Sequence, residues 1–175
     1  MKIWNYTITI LLLMLAGIII AILQLPDKNL HIIACDVGQG DAILIIYKNV
    51  QILTDGGPDN KVLSCLGKYL PFYDREIELV VSTHPDADHS TGLIEVVKKY
   101  KVDKILVNPV DPGTEIYRVL EKMVGSRGVG VIAPESGMQL GLGLIHLDIL
   151  SEFDPQNGNT NTLTPLSTKC DFASF

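Results

Sequence analysis

Cysteine is scarce in this chain and forms no pattern. Cys35, Cys65 and Cys170 are the only three among 175 residues. They lie far apart, are odd in number and include no C-x-x-C pair, so the sequence shows neither a disulfide framework nor cysteine-based zinc spacing. Cys35 follows Ile32-Ile33-Ala34 and loosely mimics a lipid-attachment box, but charged residues separate it from the apolar segment and it reads as a small strand residue. Positive charge is also short. Fourteen Lys and Arg stand against 20 Asp and Glu, a net charge of -6, which argues against a broad electrostatic grip on nucleic acid while leaving a local one open. There is no internal repeat and no low-complexity tract. Gly125-Ser126-Arg127-Gly128-Val129-Gly130 lacks a phosphate-loop lysine and reads as a helix-to-strand connection.

One long apolar run is present, from about Tyr6 to Leu25, without a charged residue. About 20 residues at a 1.5 Å rise match the roughly 30 Å hydrocarbon core of a bilayer. Leu25-Pro26-Asp27-Lys28 offers no small-residue cleavage site, which separates the run from a signal peptide. The expectation is an uncleaved transmembrane anchor and short linker over residues 1–29, with the membrane as a partner. Lys2 and Lys28 give only a thin orientation signal, read as N-terminus in the cytoplasm and the following domain, residues 30–175, outside.

That domain alternates strand-like and helix-like runs. Leu30 to Cys35, Ala42 to Tyr47 and Val50 to Thr54 are short apolar strands separated by Gly-punctuated turns. Lys61 to Leu70 has helical spacing, Ile77 to Val81 is a buried strand, and Ser90 to Tyr100 is a helix. Lys104 to Val107 is a strand, and Thr114 to Val124 is a helix capped by Gly125. Val129 to Ala133 and Leu144 to Leu150 read as strands, and from Ser151 the chain turns polar. Three strands before the first helix predict an α/β (α+β) mixed sheet rather than a purely parallel one.

The chemistry concentrates in His84-Pro85-Asp86-Ala87-Asp88-His89, directly after a buried strand. Residues two apart in an extended segment point the same way, so His84, Asp86 and Asp88 can converge, and His89 can join where the helix begins. Loops at the carboxyl ends of strands are where α/β folds build sites. Imidazole with carboxylate suits zinc, and also manganese or iron. The bland reading is a solvated loop in which Asp88 or Ser90 caps the next helix. Two histidines and two aspartates at this spacing favour metal ligation. His31 and His146 lie in strand-like runs and read as packed or edge residues, and Ser82 and Ser90 carry no mark of a nucleophile.

The segment resembles the HxHxDH motif of metallo-β-lactamase-fold proteins, with Asp at the second position. Asp36-Val37-Gly38-Gln39-Gly40-Asp41-Ala42, then Asp55-Gly56-Gly57, then Thr83-His84-Pro85-Asp86-Ala87-Asp88-His89 resemble, in order and spacing, the metallo-hydrolase domain of the ComEC competence family. The resemblance implies the N-terminal half of an αββα sandwich. It implies a metal-dependent hydrolase, a phosphodiesterase or nuclease acting on DNA or another phosphodiester, with two divalent ions, zinc or manganese. His84 and Asp86 would serve the first metal and Asp88 and His89 the second, with Asp88 also holding the attacking water. Asp36, Gln39 and Asp41 match the signature turn near the site, and Asp55 the buried aspartate that supports the motif loop. Asn159 to Leu163 resembles the segment entering the second half, and Lys169 to Phe175 the strand leading to a metal-bridging Gly-Asp pair. The sequence given stops before that pair, so a truncated or degenerate, non-catalytic chain is the alternative, one whose half sandwich would leave an apolar sheet face uncovered. A third reading is a binding module in which Lys98, Lys99, Lys101 and Lys104 touch phosphate. No stable protein partner is legible.

Overall fold

A computed structural model describes residues 2–23, 28–84, 86–107, 113–149 and 167–169, with side chains over 4–20, 28–84, 86–107 and 113–149. The chain opens with helix α1, Lys2–Leu23. It does not meet the expectation of a transmembrane anchor. Among the described residues no helix is long and apolar enough to cross a membrane. Asn5, Thr7 and Thr9 place polar groups in the first turns of α1. A single-pass membrane protein with an extracytoplasmic domain is therefore not supported.

The domain is built on a six-stranded sheet in the order β1 (Leu30–Ala34), β2 (Ile43–Tyr47), β3 (Val50–Thr54), β4 (Glu76–Ser82), β5 (Lys101–Val107) and β6 (Gly130–Ile132). The first three strands are antiparallel neighbours and β3 to β6 run parallel, so the sheet is mixed. Short turns join β1, β2 and β3, while helices α2 (Lys61–Tyr69), α3 (Ala87–Lys99) and α4 (Glu115–Arg127) make the parallel crossovers, which hairpin turns cannot supply. Central strands buried on both faces need apolar side chains on both. On one face Leu44, Leu53, Val80 and Ile105 pack under Val62 and Leu66 of α2, Leu93 and Val97 of α3, and Leu120 of α4. On the other face Ile45, Ile52, Leu79 and Leu106 meet Ile145, Leu147 and Ile149.

Ile145 and Leu147 belong to a second, three-stranded sheet, β7 (Gln139–Leu142), β8 (Ile145–Asp148) and β9 (Ser167–Lys169), all antiparallel, and Ile149 directly follows β8. This layer covers the sheet face expected to lie open in a half sandwich: Leu79 is fully buried and Ile52 nearly so. The pattern shows one strand here, Leu144 to Leu150, and misses β7, because Gly141 interrupts its apolar alternation and Gly143, at φ 62°, makes the hairpin turn. Gly125 lies inside α4. The left-handed cap is Gly128, at φ 67°, and Thr114 caps the other end by accepting a hydrogen bond from the Tyr117 amide. The segments Asn159 to Leu163 and Cys170 to Phe175, likened above to the second half of the fold, lie outside the described residues.

Cys35 and Cys65, read above as unrelated, form a disulfide with a Cα–Cα distance of 5.7 Å. It ties the chain just after β1 to α2. Thirty residues separate the two in sequence, so only the fold shows the pair. Closing a loop of that length stabilises the folded chain by about 3–4 kcal/mol in the chain-entropy account. The double variant Cys35→Ala/Cys65→Ala is expected to lose most of that in urea unfolding. An unchanged midpoint would remove the disulfide from the account.

At the amino-terminal end of the parallel strands, buried Gln51 donates its side-chain amide to Asp74 and its backbone N–H to Glu78 Oε2, at 2.8 and 2.6 Å. Burial pushes the Glu78 carboxyl above the ordinary glutamate value of 4.5. The bond from Gln51 pulls the other way, and the charges of Asp74 and Glu76 add to the rise. The folded state thus holds this proton more tightly than the unfolded chain does. The resulting stabilisation is fully present below about pH 4.5 and is lost as pH rises through the raised folded value. Urea titrations across that window should show a decline in stability that Glu78→Gln lacks.

Candidate metal centre

Strand β4 ends at Ser82 in the middle of the sheet, and the chain passes through Thr83 and His84 into α3 within five residues. The helix begins at Ala87, not Ser90, so Asp88 and His89 already have helical backbone. The amides of His89 and Ser90 both bond the Asp86 carbonyl, at 3.1 and 2.9 Å. The buried Ser90 hydroxyl donates to the His84 carbonyl at 3.1 Å, closing the bend on itself.

The bend rests on the loop that follows β3. The Gly56 amide bonds the His89 carbonyl at 2.8 Å, and the Gly92 amide bonds the Gly57 carbonyl at 2.9 Å. This approach excludes side chains: a Cβ on Gly92 would lie 1.9 Å from the Gly56 carbonyl oxygen. A Cβ on Gly40 would lie 2.0 Å from the Asp88 carbonyl oxygen, so the signature turn 36–41 is seated against the same bend. These glycines do more than form turns.

Asp55 lies at the centre of the contacts, 2% exposed, with a left-handed backbone at φ 55°. Its Oδ1 accepts the Thr83 amide at 2.9 Å, and its Oδ2 accepts the Thr83 hydroxyl. Oδ2 also lies 3.1 Å from His89 Nδ1, and Thr83 Oγ1 lies 2.9 Å from His84 Nδ1. Both Nδ1 atoms are thus occupied on one side. On the other, His84 Nε2 is 3.9 Å from Asp86 Oδ2 and His89 Nε2 is 3.7 Å from Asp88 Oδ2. The two rings are 3.6 Å apart, centroid to centroid.

The motif therefore sets His84 beside Asp86 and His89 beside Asp88 with the two rings adjacent; His89 is buried, His84 half-buried, and Asp86 and Asp88 exposed. Asp86 occupies the N-cap position, yet its side chain makes no capping bond, so its carboxylate is not consumed there. Asp36, Gln39 and Asp41 are exposed on the signature turn, which reaches the site by backbone: the Asp41 carbonyl accepts the Gly57 amide at 3.1 Å. Two atoms bound to one zinc at about 2.0–2.1 Å lie within roughly 4 Å of each other. The Nε2-to-carboxylate separations fit that limit. Among the described residues, the group of three whose ligand atoms all lie within 4.8 Å of one another is Asp55, His84 and His89, with Asp55 already engaged by three donors. These donor sets suit a divalent metal ion. Thr83 is the residue that pattern reading misses. Its partner Asp55 lies 28 residues away, so no local pattern marks it.

Lys98 pairs with Glu95 at 2.6 Å, and Lys101 with Glu76 and Lys104 with Asp103 at 2.5 Å each. Lys98 lies in the last turn of α3, roughly 16 Å from its first turn at 1.5 Å per residue, while Lys101 opens β5 at that same end and Lys104 lies beside Leu79 of β4.

Among solved structures the chain is similar to the Rm3 metallo-beta-lactamase, with a TM-score of 0.51 and 17% identity, covering 73% of this chain and 49% of that one. It is also similar to MEM-A1, a subclass B3 metallo-beta-lactamase isolated from a soil metagenome library, with a TM-score of 0.50, 18% identity and coverages of 72% and 50%. The fold is that of the metallo-β-lactamases. The chain spans about half the length of these structures. No protein-family model matches it, and no curated protein does.

The close approach of Gly92 to Gly56 gives a direct test. Gly92→Ala is expected to cost at least about 2 kcal/mol, because the clash is with backbone that cannot rotate away. Gly67→Ala, in α2 with nothing within 4 Å, should instead gain up to about 1 kcal/mol. Thermal unfolding of both variants beside wild type reads the contrast, and equal effects would contradict it.

Proposed function

We propose that this chain is a metal-dependent hydrolase of phosphodiesters, with its metal at the carboxyl end of β4. One observation carries the reading: Asp55 and Thr83 take up Nδ1 of both imidazoles, leaving both Nε2 atoms on the side where Asp86 and Asp88 present their carboxylates. In this reading His84 and Asp86 hold one ion, Asp88 and His89 a second, and Asp55 orients the rings. A bound zinc or manganese ion would supply electrophilic polarisation of the scissile group and a more acidic water. Asp88, half-exposed on the first turn of α3, is placed to accept a proton from the attacking water. The phosphodiester class rests on the likeness of the turn Asp36 to Ala42 and of Asp55-Gly56-Gly57 to the ComEC metallo-hydrolase domain.

The test is metal content and turnover on the full chain. After loading with zinc or manganese and desalting, wild type should retain metal and cleave an activated phosphodiester such as bis(p-nitrophenyl) phosphate. His84→Ala with Asp88→Ala should lower metal affinity by more than the roughly 10–100-fold that loss of an outer partner costs. Equal metal content in the two proteins would overturn the reading of the site. Retained metal with no phosphodiester cleavage would overturn the substrate class alone.

A further inference from the structure

The mechanism above uses Asp55 as the orienting group, yet only one ring touches it. His89 Nδ1 lies 3.1 Å from Asp55 Oδ2, while His84 Nδ1 has Thr83 Oγ1 as its neighbour at 2.9 Å. The hydroxyl of Thr83 also contacts Asp55 Oδ2. A hydroxyl has one proton and two lone pairs, and a carboxylate has only acceptors. The Thr83 proton therefore goes to Asp55, and its oxygen has lone pairs alone to offer His84. A ring nitrogen facing a lone pair carries the hydrogen.

We propose that Thr83 is a positioning residue that relays the Asp55 carboxylate to His84, fixing this ring as its Nδ1–H tautomer with Nε2 unprotonated toward Asp86. The two histidines are set by one carboxylate, His89 directly and His84 at one remove. The Thr83 amide, bonded to Asp55 Oδ1 at 2.9 Å, holds the backbone of this residue against the same carboxylate that its hydroxyl contacts. Neighbouring Ser90 does not take this role, since its hydroxyl donates to the His84 carbonyl and not to the ring. Sequence pattern alone gives this threonine no role.

The ring tautomers can be read in the metal-free full-length chain by long-range proton–nitrogen NMR of the histidine side chains. Wild type and Thr83→Ser should both show His84 as Nδ1–H, with its ring proton close to the residue 83 side chain. Thr83→Val keeps the shape and removes the hydroxyl. There His84 should shift toward Nε2–H while His89, still bonded to Asp55, stays Nδ1–H as an internal reference. Zinc affinity should fall about 10–100-fold in Thr83→Val and recover in Thr83→Ser. The affinity arm rests on the proposed ligand role of His84; the tautomer arm does not, so each can fail without the other. Wild-type His84 in the Nε2–H form, or an unmoved tautomer in folded Thr83→Val, overturns the relay. Should Thr83→Val not fold, the wild-type tautomer and its contact to residue 83 decide the matter alone.

Discussion

A buried carboxylate is the constraint on which this domain turns. Asp55 is removed from water at the carboxyl end of β3, where an uncompensated charge would be costly. It is tolerated because three donors converge on it: the Thr83 amide, the Thr83 hydroxyl and the Nδ1 of His89. Each comes from the segment that leaves the adjacent strand β4. The backbone of Asp55 adopts a left-handed conformation, which costs on the order of 1–3 kcal/mol for a non-glycine residue and persists only where its surroundings over-determine it. Its own amide bonds the Val81 carbonyl at 2.8 Å, so strand pairing and side-chain capture enforce the same geometry.

From that point the contacts spread outward by backbone. Glycines at 40, 56 and 92 bring the signature turn, the loop after β3 and the first turns of α3 into van der Waals contact. The amide of Cys35 bonds the Ala42 carbonyl at 2.8 Å across the base of the signature turn. Through its disulfide to Cys65, the same residue anchors that base to α2. The helical layer and the β7–β9 layer press the sheet from opposite faces, so the ends of β3 and β4 cannot slide relative to each other. Preorganisation of this kind is what a site needs if its side chains are to hold positions within fractions of an ångström.

How much of this could be read from the chain depends on the range of each interaction. Runs such as Ile77 to Val81 reveal central strands because burial on both faces demands unbroken apolar sequence. The motif from His84 to His89 is legible because its residues are neighbours. The start of α3 at Ala87 is not, since Asp88 and His89 look polar and loop-like until the helix is seen. β7 is hidden by Gly141 and Gly143. The disulfide and the Thr83 relay are hidden for a different reason: their partners lie 30 and 28 residues away, and no local period connects them. The apolar run of α1 misleads in the opposite sense, since hydropathy alone made it a membrane span.

Exposure separates the aspartates of the site into two kinds. Asp55, nearly all its surface buried, has its lone pairs occupied and faces the Nδ1 side of the rings. Asp86 and Asp88, with 67% and 52% of their side chains exposed, face the Nε2 side, and neither carboxylate is consumed by a helix cap. An identical functional group is thus made into a fixed support in one position and an available donor in the other two. The difference comes from burial and hydrogen bonding, not from residue identity. Asp55 has its lone pairs engaged by three donors, whereas the Asp86 carboxylate lies open beside Nε2 of His84 and the Asp88 carboxylate beside Nε2 of His89. In the proposed reading, the contacts made beneath the rings by Asp55 and Thr83 are what would leave the Nε2 side as the place for a metal.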